Sequence, residues 1–448
     1  MKKTTLGMLT ALATAGALTL AACGGGGGDE STTPAGGQTT SGAQASVDPG
    51  AEPVTLTLAG WSLETTPEFQ VLADAFMAAN SNVTIELKEY DANDYGTLML
   101  ADMAAGNAPD IITIKEAKAL GQWVDGGQLL DVTDVVSALP ANVSGAGSYT
   151  IDGVNYAAPY RQDSWVLFYN ADLFSQAGVA VPDGSWTWDD YATAAKALTA
   201  NLGGKKGAYE HSWQSTLQGF AQAQTPGADL GGGQDYSYLK PYYERVLDLQ
   251  TSGAQETYGN ITTNKLTYQG QFGKQEAAMM AMGSWYVATL ITQQASGEAD
   301  SFTWGMAPIP QYDSSTTGTD KVPVTFGDPT GLGINAGIDS SKVAAAKAFI
   351  AFAASDAAGE ALAKIGILSS VSSDAVTAAY FAQAGIPTDE LSKFAISTHD
   401  TRPENPQSPN IAAIQTALGE AHTAIMSGSS AIDDAIALAT STIQSEIG

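Results

Sequence analysis

Cysteine is almost absent from this chain. Its 448 residues include one, Cys23, so no disulfide can form within it. Histidine is nearly as scarce. His211, His399 and His422 are dispersed and have no cysteine beside them, so neither a metal site nor a cofactor is expected. Positive charge is sparse as well: 19 Lys and Arg stand against 47 Asp and Glu, a formal net charge of −28. A chain so poor in cations lacks what neutralises nucleic-acid phosphates. The same balance argues against an anionic solute as the main ligand, although an acidic surface also serves solubility. The sequence contains no Gly-x-Ser-x-Gly turn and no nucleotide-binding glycine loop. A glycosidase-like carboxylate pair would have to be assembled in space, from Asp163 with Glu64 or Asp328. Past the first residues, no run is long and apolar enough to span a membrane.

The N-terminus reads as a targeting segment. Lys2 and Lys3 precede an apolar, small-residue run from Leu6 to Leu20, followed by Leu20-Ala21-Ala22-Cys23. This end resembles a lipobox, which implies removal of residues 1–22 and diacylation of Cys23. The alternative is an uncleaved membrane anchor, since the run approaches spanning length. Residues 23–52 open with five consecutive glycines and continue in Asp, Glu, Ser, Thr, Pro and Gln. Such a composition cannot bury enough surface to fold and reads as a disordered tether.

From residue 53 onward the chain is too long for one core and suggests two domains. Val54 to Ala59 alternates as a strand, Pro67 opens a helix, and Val83, Ile85 and Leu87 alternate again. Tyr95 to Ala105 is helical with Gly106 stopping it, and Pro109-Asp110 leads into Ile111 to Ile114. This β-α-β-α-β order predicts a parallel sheet covered by helices. Asp91, Asn93 and Asp102 mimic a calcium loop only faintly, because Tyr95 is no ligand and the last acid is Asp rather than Glu.

The stretch from Ile151 to Tyr191 organises the rest. Asp152-Gly153 is a hairpin pair, Val166 to Tyr169 an apolar strand, and Thr187 before Asp189-Asp190 an N-cap with acids in the first turn. Between hairpin and strand lies a polar and aromatic patch, Arg161 to Trp165. Asp152, Gly153, Tyr156 and Pro159, then Tyr169, Asn170, Leu173, Phe174, Ala177 and Gly178, resemble in order two elements of the family 1 extracellular solute-binding proteins, the sugar-binding components of ABC importers. Pro109-Asp110 after Gly106, and Phe272, Gly273 and Lys274 before Ala277 to Met280, resemble two more.

The resemblance implies a two-lobed α/β fold of the periplasmic-binding-protein type II, central sheets flanked by helices, with several chain crossings forming a hinge. Its expected partition is residues 53–164 and 324–370 in lobe 1, residues 165–310 and 372–448 in lobe 2, and 311–323 as a crossing segment. It also implies an oligosaccharide ligand, handover to ABC transporter permease subunits, a monomer without enzymatic activity, and attachment to the extracellular face of the membrane by lipid alone.

Ligands of open α/β sheets sit at the carboxyl ends of strands. That rule points to Trp61 and Glu64 after the first strand and to Lys115 and Glu116 after the third. Asp163 and Trp165 lie in the patch between lobes. Trp213 and Trp285 fall where the family carries aromatics, Trp285 stacked on a sugar ring by resemblance. Asp328 precedes Pro329 at the return to the first lobe, and His399-Asp400 lies in a polar loop before Pro403. For each tryptophan the competing role is core packing. For the charged residues it is a solvated surface or a turn. Flat aromatic faces together with carboxylate and amide acceptors suit a neutral polyhydroxylated solute. A surface carbohydrate hydrolase, or a binder of a polyamine or peptide, remains open.

Overall fold

The computed structural model describes residues 47–64, 67–232, 235–406 and 408–447. The signal segment, Cys23 and most of the tether fall outside these residues. The end of the expected tether does not. Val47 packs on the first lobe's core, and Asn82 Nδ2 donates to the Gly50 and Glu52 carbonyls at 2.9 and 3.2 Å, so residues 47–52 already lie against that lobe.

The alternating N-terminal pattern produces β1 (Val54–Gly60), β2 (Val83–Glu89) and β3 (Ile111–Ile114), with helices Glu68–Ala79 and Tyr95–Ala105 between them. Gly106 ends the second helix in the left-handed region at φ 70°, where glycine carries no Cβ penalty. Asp152 and Gly153, at φ 51° and 81°, turn the hairpin of β4 (Thr150–Ile151) and β5 (Val154–Asn155). Then come β6 (Ala157–Gln162) and β7 (Trp165–Asn170), with two residues between them.

Those two residues separate two sheets. The first has the order β2-β1-β3-β12-β6, where β12 is Pro329–Ile334, inserted antiparallel between β3 and β6. The second has the order β10-β7-β9-β8, built from β8 (Lys206–Tyr209), β9 (Ala277–Gly283) and β10 (Trp304–Ala307). Each sheet has its own core. Phe69, Phe76, Ile112, Trp123, Tyr160 and Phe349 fill the first, and Phe168, Trp188, Phe220, Met280, Tyr286 and Leu418 the second. The architecture is the two-lobed α/β fold that the resemblance implies.

Local signals account for the helix starts. Thr187 forms a full capping box with Asp190, its N–H donating to Oδ2 at 2.8 Å. Ser373 and Asp389 cap two helices, Asp374–Ala382 and Glu390–Ser397, that the sequence reading leaves out. The strand β8 is also absent from that reading. It exists because Gly207 lets the backbone rest on the Ala195 carbonyl, where a Cβ would stand at 1.9 Å.

The return to the first sheet differs from the expected segment 311–323. Val324 and Phe326 of β11 (Val324–Phe326) belong to the second core, and β11 pairs in parallel with β13 (Asp400–Arg402). The chain crosses back at Gly327-Asp328, immediately before β12. A third contact runs along β6, where Ser370 N donates to the Tyr160 carbonyl at 3.0 Å and Ser370 Oγ to the Pro159 carbonyl at 2.9 Å.

The two main crossings touch at Gly327, where a Cβ would lie 2.3 Å from the Asp163 carbonyl oxygen. Both partners there are backbone and cannot rotate away. Gly327→Ala is therefore expected to cost about 1–3 kcal/mol through overpacking. Urea unfolding should show it as a lower midpoint at an unchanged slope, whereas an unchanged midpoint would mean that the crossings are not in contact.

Candidate ligand-binding cleft

Strand direction brings the candidate residues together. In the first sheet β1, β3 and β6 are mutually parallel and end at Gly60, Ile114 and Gln162 on one edge. In the second sheet β8 and β9 end at Tyr209 and Gly283, beside the start of β7 at Trp165. The step from β6 to β7 is only Asp163-Ser164, so the carboxyl rims of both sheets meet at this crossing. Trp61, Glu64, Lys115 and Glu116 follow strand ends of the first rim. His211, Trp213 and Trp285 follow those of the second.

A buried chain of charges spans the crossing. Glu68, the first residue of its helix and fully buried, pairs with Arg161 Nη1 at 2.5 Å, and Arg161 Nε pairs with Asp163 Oδ2 at 2.6 Å. Tyr160 donates to Glu68 Oε1 at 3.2 Å, and Ser284 Oγ, at the end of β9, donates to Asp163 Oδ1 at 2.7 Å. Burial acts to lower the Arg161 pKa, but the Asp163 and Glu68 carboxylates prevail and hold it well above the usual value. Asp163 is thus placed between the lobes as expected, but both its oxygens are engaged. It acts as a clamp between the first lobe's arginine and the second lobe's serine.

The tryptophans divide. Trp165 is buried, stacked on Phe326 at 5.0 Å between ring centres, and belongs to the second core. Trp61 is 9% exposed, edge-on to Phe69 and Tyr95, with Lys115 Nζ 5.4 Å above its ring. Trp213 is 38% exposed and meets His211 at 4.4 Å and Tyr268 at 5.8 Å, both edge to face. Trp285 is half-buried and lies edge-on to Trp165 at 5.4 Å, its indole folded over the bare Cα of Gly283. Trp213, Tyr268 and Trp285 form an aromatic corner that neither lobe's core covers completely.

The charged candidates also separate. Glu64 is exposed. Lys115 donates to the Ala92 carbonyl, and burial lowers its pKa. Glu116 is exposed and paired with Lys118 at 2.8 Å. Asp328 accepts from Glu404 N at 2.9 Å, Asn405 N at 3.2 Å and Asn405 Nδ2 at 2.7 Å, which makes it a brace of the return crossing. His399 has internal partners on both ring nitrogens, Ile396 O at 3.0 Å and Thr401 Oγ1 at 2.7 Å. Asp400 pairs with Arg402 at 3.2 Å within β13. These two residues therefore form a strand end, with Asp400 opposite Val324, three residues before the crossing at Gly327. They do not form the free polar loop that the sequence suggests. In their place the tail presents Glu404, half-buried beside Asp328 and facing the charges of Lys118 and Glu116. The calcium-like Asp102 is held by Lys88 at 2.7 Å and Tyr90 at 2.6 Å.

Sequence reasoning misses Glu68, Arg161's role, Tyr268, Lys118 and Glu404. A Glu in a first helical turn looks like a solvated dipole partner, and only the Pro403–Pro406 bracket hints that Glu404 is held in place. A groove of about 340 Å³ on the second lobe, lined by Asp235, Asp433, Ile436 and Gln444, lies on helix Ile432–Ile447 and contains no strand-end residue of the rims.

Comparison with known proteins agrees with this geometry. The sequence profile of the bacterial extracellular solute-binding proteins matches residues 60–360. A sugar transporter from Rhizobium etli, solved in an open conformation, is 31% identical with a TM-score of 0.72, covering 87% of this chain and 99% of that one. An ABC substrate-binding protein from Listeria monocytogenes, in complex with cycloalternan, shares the fold at 19% identity and a TM-score of 0.70, over 88% and 99%. The sn-glycerol-3-phosphate-binding periplasmic protein of Escherichia coli (strain K12) is 31% identical over 162 residues, 34% of this chain and 36% of that protein.

The site region also sets a pH dependence. Burial raises Glu210, at the end of β8, to about 8, with Arg245 opposing the shift. Burial, then Asp328, raises Glu404 to about 8. Burial lowers His211 and His422 to about 4. An acid raised in the folded state contributes stability below its unfolded value of 4.5, which is lost as pH climbs to about 8. A histidine lowered in the folded state contributes stability above 6.5, which is lost as pH falls to about 4. The two pairs oppose one another between 4.5 and 6.5. Above 6.5 only the acids act, so stability should fall towards pH 8. Urea unfolding between pH 5 and 8.5 checks this, and Glu210→Gln with Glu404→Gln should flatten the fall. Stability rising from pH 6.5 to 8 would contradict it.

Proposed function

The chain belongs to the bacterial extracellular solute-binding protein family, and we propose that it captures a neutral oligosaccharide between its lobes for delivery to an ABC transporter permease. The observation that carries this reading is the aromatic corner of Trp213, Tyr268 and Trp285, which stands on the carboxyl rim of the second sheet beside the crossing from the first. Sugar rings present C–H faces that pack on such rings, and their hydroxyls need acceptors. Glu64, Glu116 and Glu404 supply acceptors at or near the rims. The full-length partner scheme is a monomer on the extracellular face of the cell membrane, held there by a lipid on Cys23, with the residues after it as its tether.

A phosphate-bearing solute fits less well. Two lysines follow β3, but Lys118 is committed to Glu116 and Lys115 to Trp61 and the Ala92 carbonyl. Both also lie beside the Glu116 carboxylate, which repels a dianion. A hydrolytic role has no support in the crossing, because Asp163 is bound to Arg161 and Ser284 and Asp328 to Glu404 and Asn405.

Calorimetry with neutral oligosaccharides of differing linkage, monosaccharides, glycerol phosphate, a polyamine and a peptide tests the reading, with chromatography of each incubation for products. The expected result is binding of an oligosaccharide without turnover. Trp213→Ala should weaken that binding by about 1–3 kcal/mol, or about ten- to a hundredfold, and leave the unligated melting temperature unchanged because the ring is exposed. Binding of only the polyamine or peptide, or release of shorter sugars, would replace the proposal.

A further inference from the structure

The residue before Trp285 is tied to the crossing at three atoms. Ser284 N donates to the Ser164 carbonyl at 2.9 Å, Ser284 Oγ accepts from Ser164 N at 3.3 Å, and the same hydroxyl donates to Asp163 Oδ1 at 2.7 Å. Ser284 is 1% exposed, so no solvent competes for these bonds. Trp285 itself shares a side-chain hydrogen bond with Tyr268. It is half-buried, it precedes helix Tyr286–Ser296 with no side-chain cap, and its ring lies on Gly283 and against the edge of Trp165. On the other side of the corner, Gln214 follows Trp213 and donates to the Gln415 carbonyl at 3.2 Å. Gln415 donates to Asn405 Oδ1 at 3.0 Å, and Asn405 donates to Asp328 at 2.7 Å. Each end of the aromatic corner is thereby joined through polar side chains to a different crossing.

We propose that Asp163 is a positioning residue for the Trp285 indole, acting through Ser284, so that the hinge presets the placement of the ring. This rests on the reading that the cleft takes its ligand at the aromatic corner, but the placement itself exists without ligand. Asp163 is suited to the task because Arg161 fixes its other oxygen, and Arg161 is fixed in turn by Glu68 in the first lobe. A rotation of the lobes that moves Arg161 is transmitted to Ser284 over two bonds, and to the ring beyond it.

The test uses the unligated protein. Trp165 and Trp285 stand 5.4 Å apart at 85°, close enough to couple in the near-ultraviolet circular dichroism spectrum. The part of the spectrum lost in Trp285→Phe defines the signal of the pair. Ser284→Ala, which removes one oxygen and keeps the backbone tie to Ser164, should lose at least half of that signal with an unchanged far-ultraviolet spectrum. Ser284→Thr, which keeps the hydroxyl, should retain it. Asp163→Ala, which leaves Arg161 its Glu68 partner, serves as a second variant if Ser284→Ala does not fold. It removes the oxygen that holds the Ser284 hydroxyl, so the signal should fall there too. A signal unchanged in Ser284→Ala, or lost equally in the alanine and threonine variants, overturns the proposal. No sugar enters the experiment, so its failure is separate from a failure of the oligosaccharide panel.

Discussion

One buried cation holds the two lobes in register. Arg161 is one of three arginines in the chain, and it serves two carboxylates at once, Glu68 in the first lobe and Asp163 at the crossing. A planar guanidinium reaches the two from different nitrogens in a fixed fork, whereas an ammonium offers them a single nitrogen. Taking three charges out of water is costly unless each oxygen and each N–H finds a partner. Here the surplus negative charge is met by the Tyr160 and Ser284 hydroxyls and by the positive end of the helix that begins at Glu68. The group is therefore a weak source of stability but a strict condition on geometry. Removing Arg161 leaves two buried carboxylates unpaired, so the lobes are free to turn only in ways that keep the group whole.

The aromatic side of the cleft depends on the same place. Trp165 opens the strand after Asp163, Phe326 stacks on it from the return crossing, and Trp285 meets its edge. Thr325 Oγ1 donates to the Trp165 carbonyl at 2.8 Å, which joins the two crossings a second time. Flanking the clamp, Ser164 Oγ and Tyr380 OH are buried and have no hydrogen-bond partner among the described residues. Burial, and then the charge of Asp163, raises the Tyr380 pKa.

Much of the frame is legible in the chain because its signals are local. Asp152-Gly153 forces its turn, Gly106 its helix stop and Thr187 its capping box, and none of these needs a distant residue. The first sheet's β-α-β-α-β order comes from hydrophobic period alone. What escapes a linear reading depends on contacts far apart in sequence. β8 hides in a glycine-containing run, since the reason for Gly207 is the carbonyl of Ala195. Trp165 sits in a polar patch yet is core, because Phe326 arrives to cover it. Asp163 looks like a free acceptor at a hinge until Arg161 and Ser284 occupy it. His399 and Asp400 look like a polar loop because their strand partner, β11, lies 75 residues or so earlier in the chain. Glu404 carries almost no local signal, since its setting is made by Asp328, Lys118 and Glu116.

On the proposed function, ligand closes the lobes about this clamped crossing. This closure is met most directly by small-angle X-ray scattering of the folded chain, alone and saturated with the tightest-binding neutral oligosaccharide. The account predicts a smaller radius of gyration with sugar, together with slower amide exchange at residues 162–166 and 327–329. A saturating, tightly bound sugar that leaves both the radius and the exchange unchanged would contradict it.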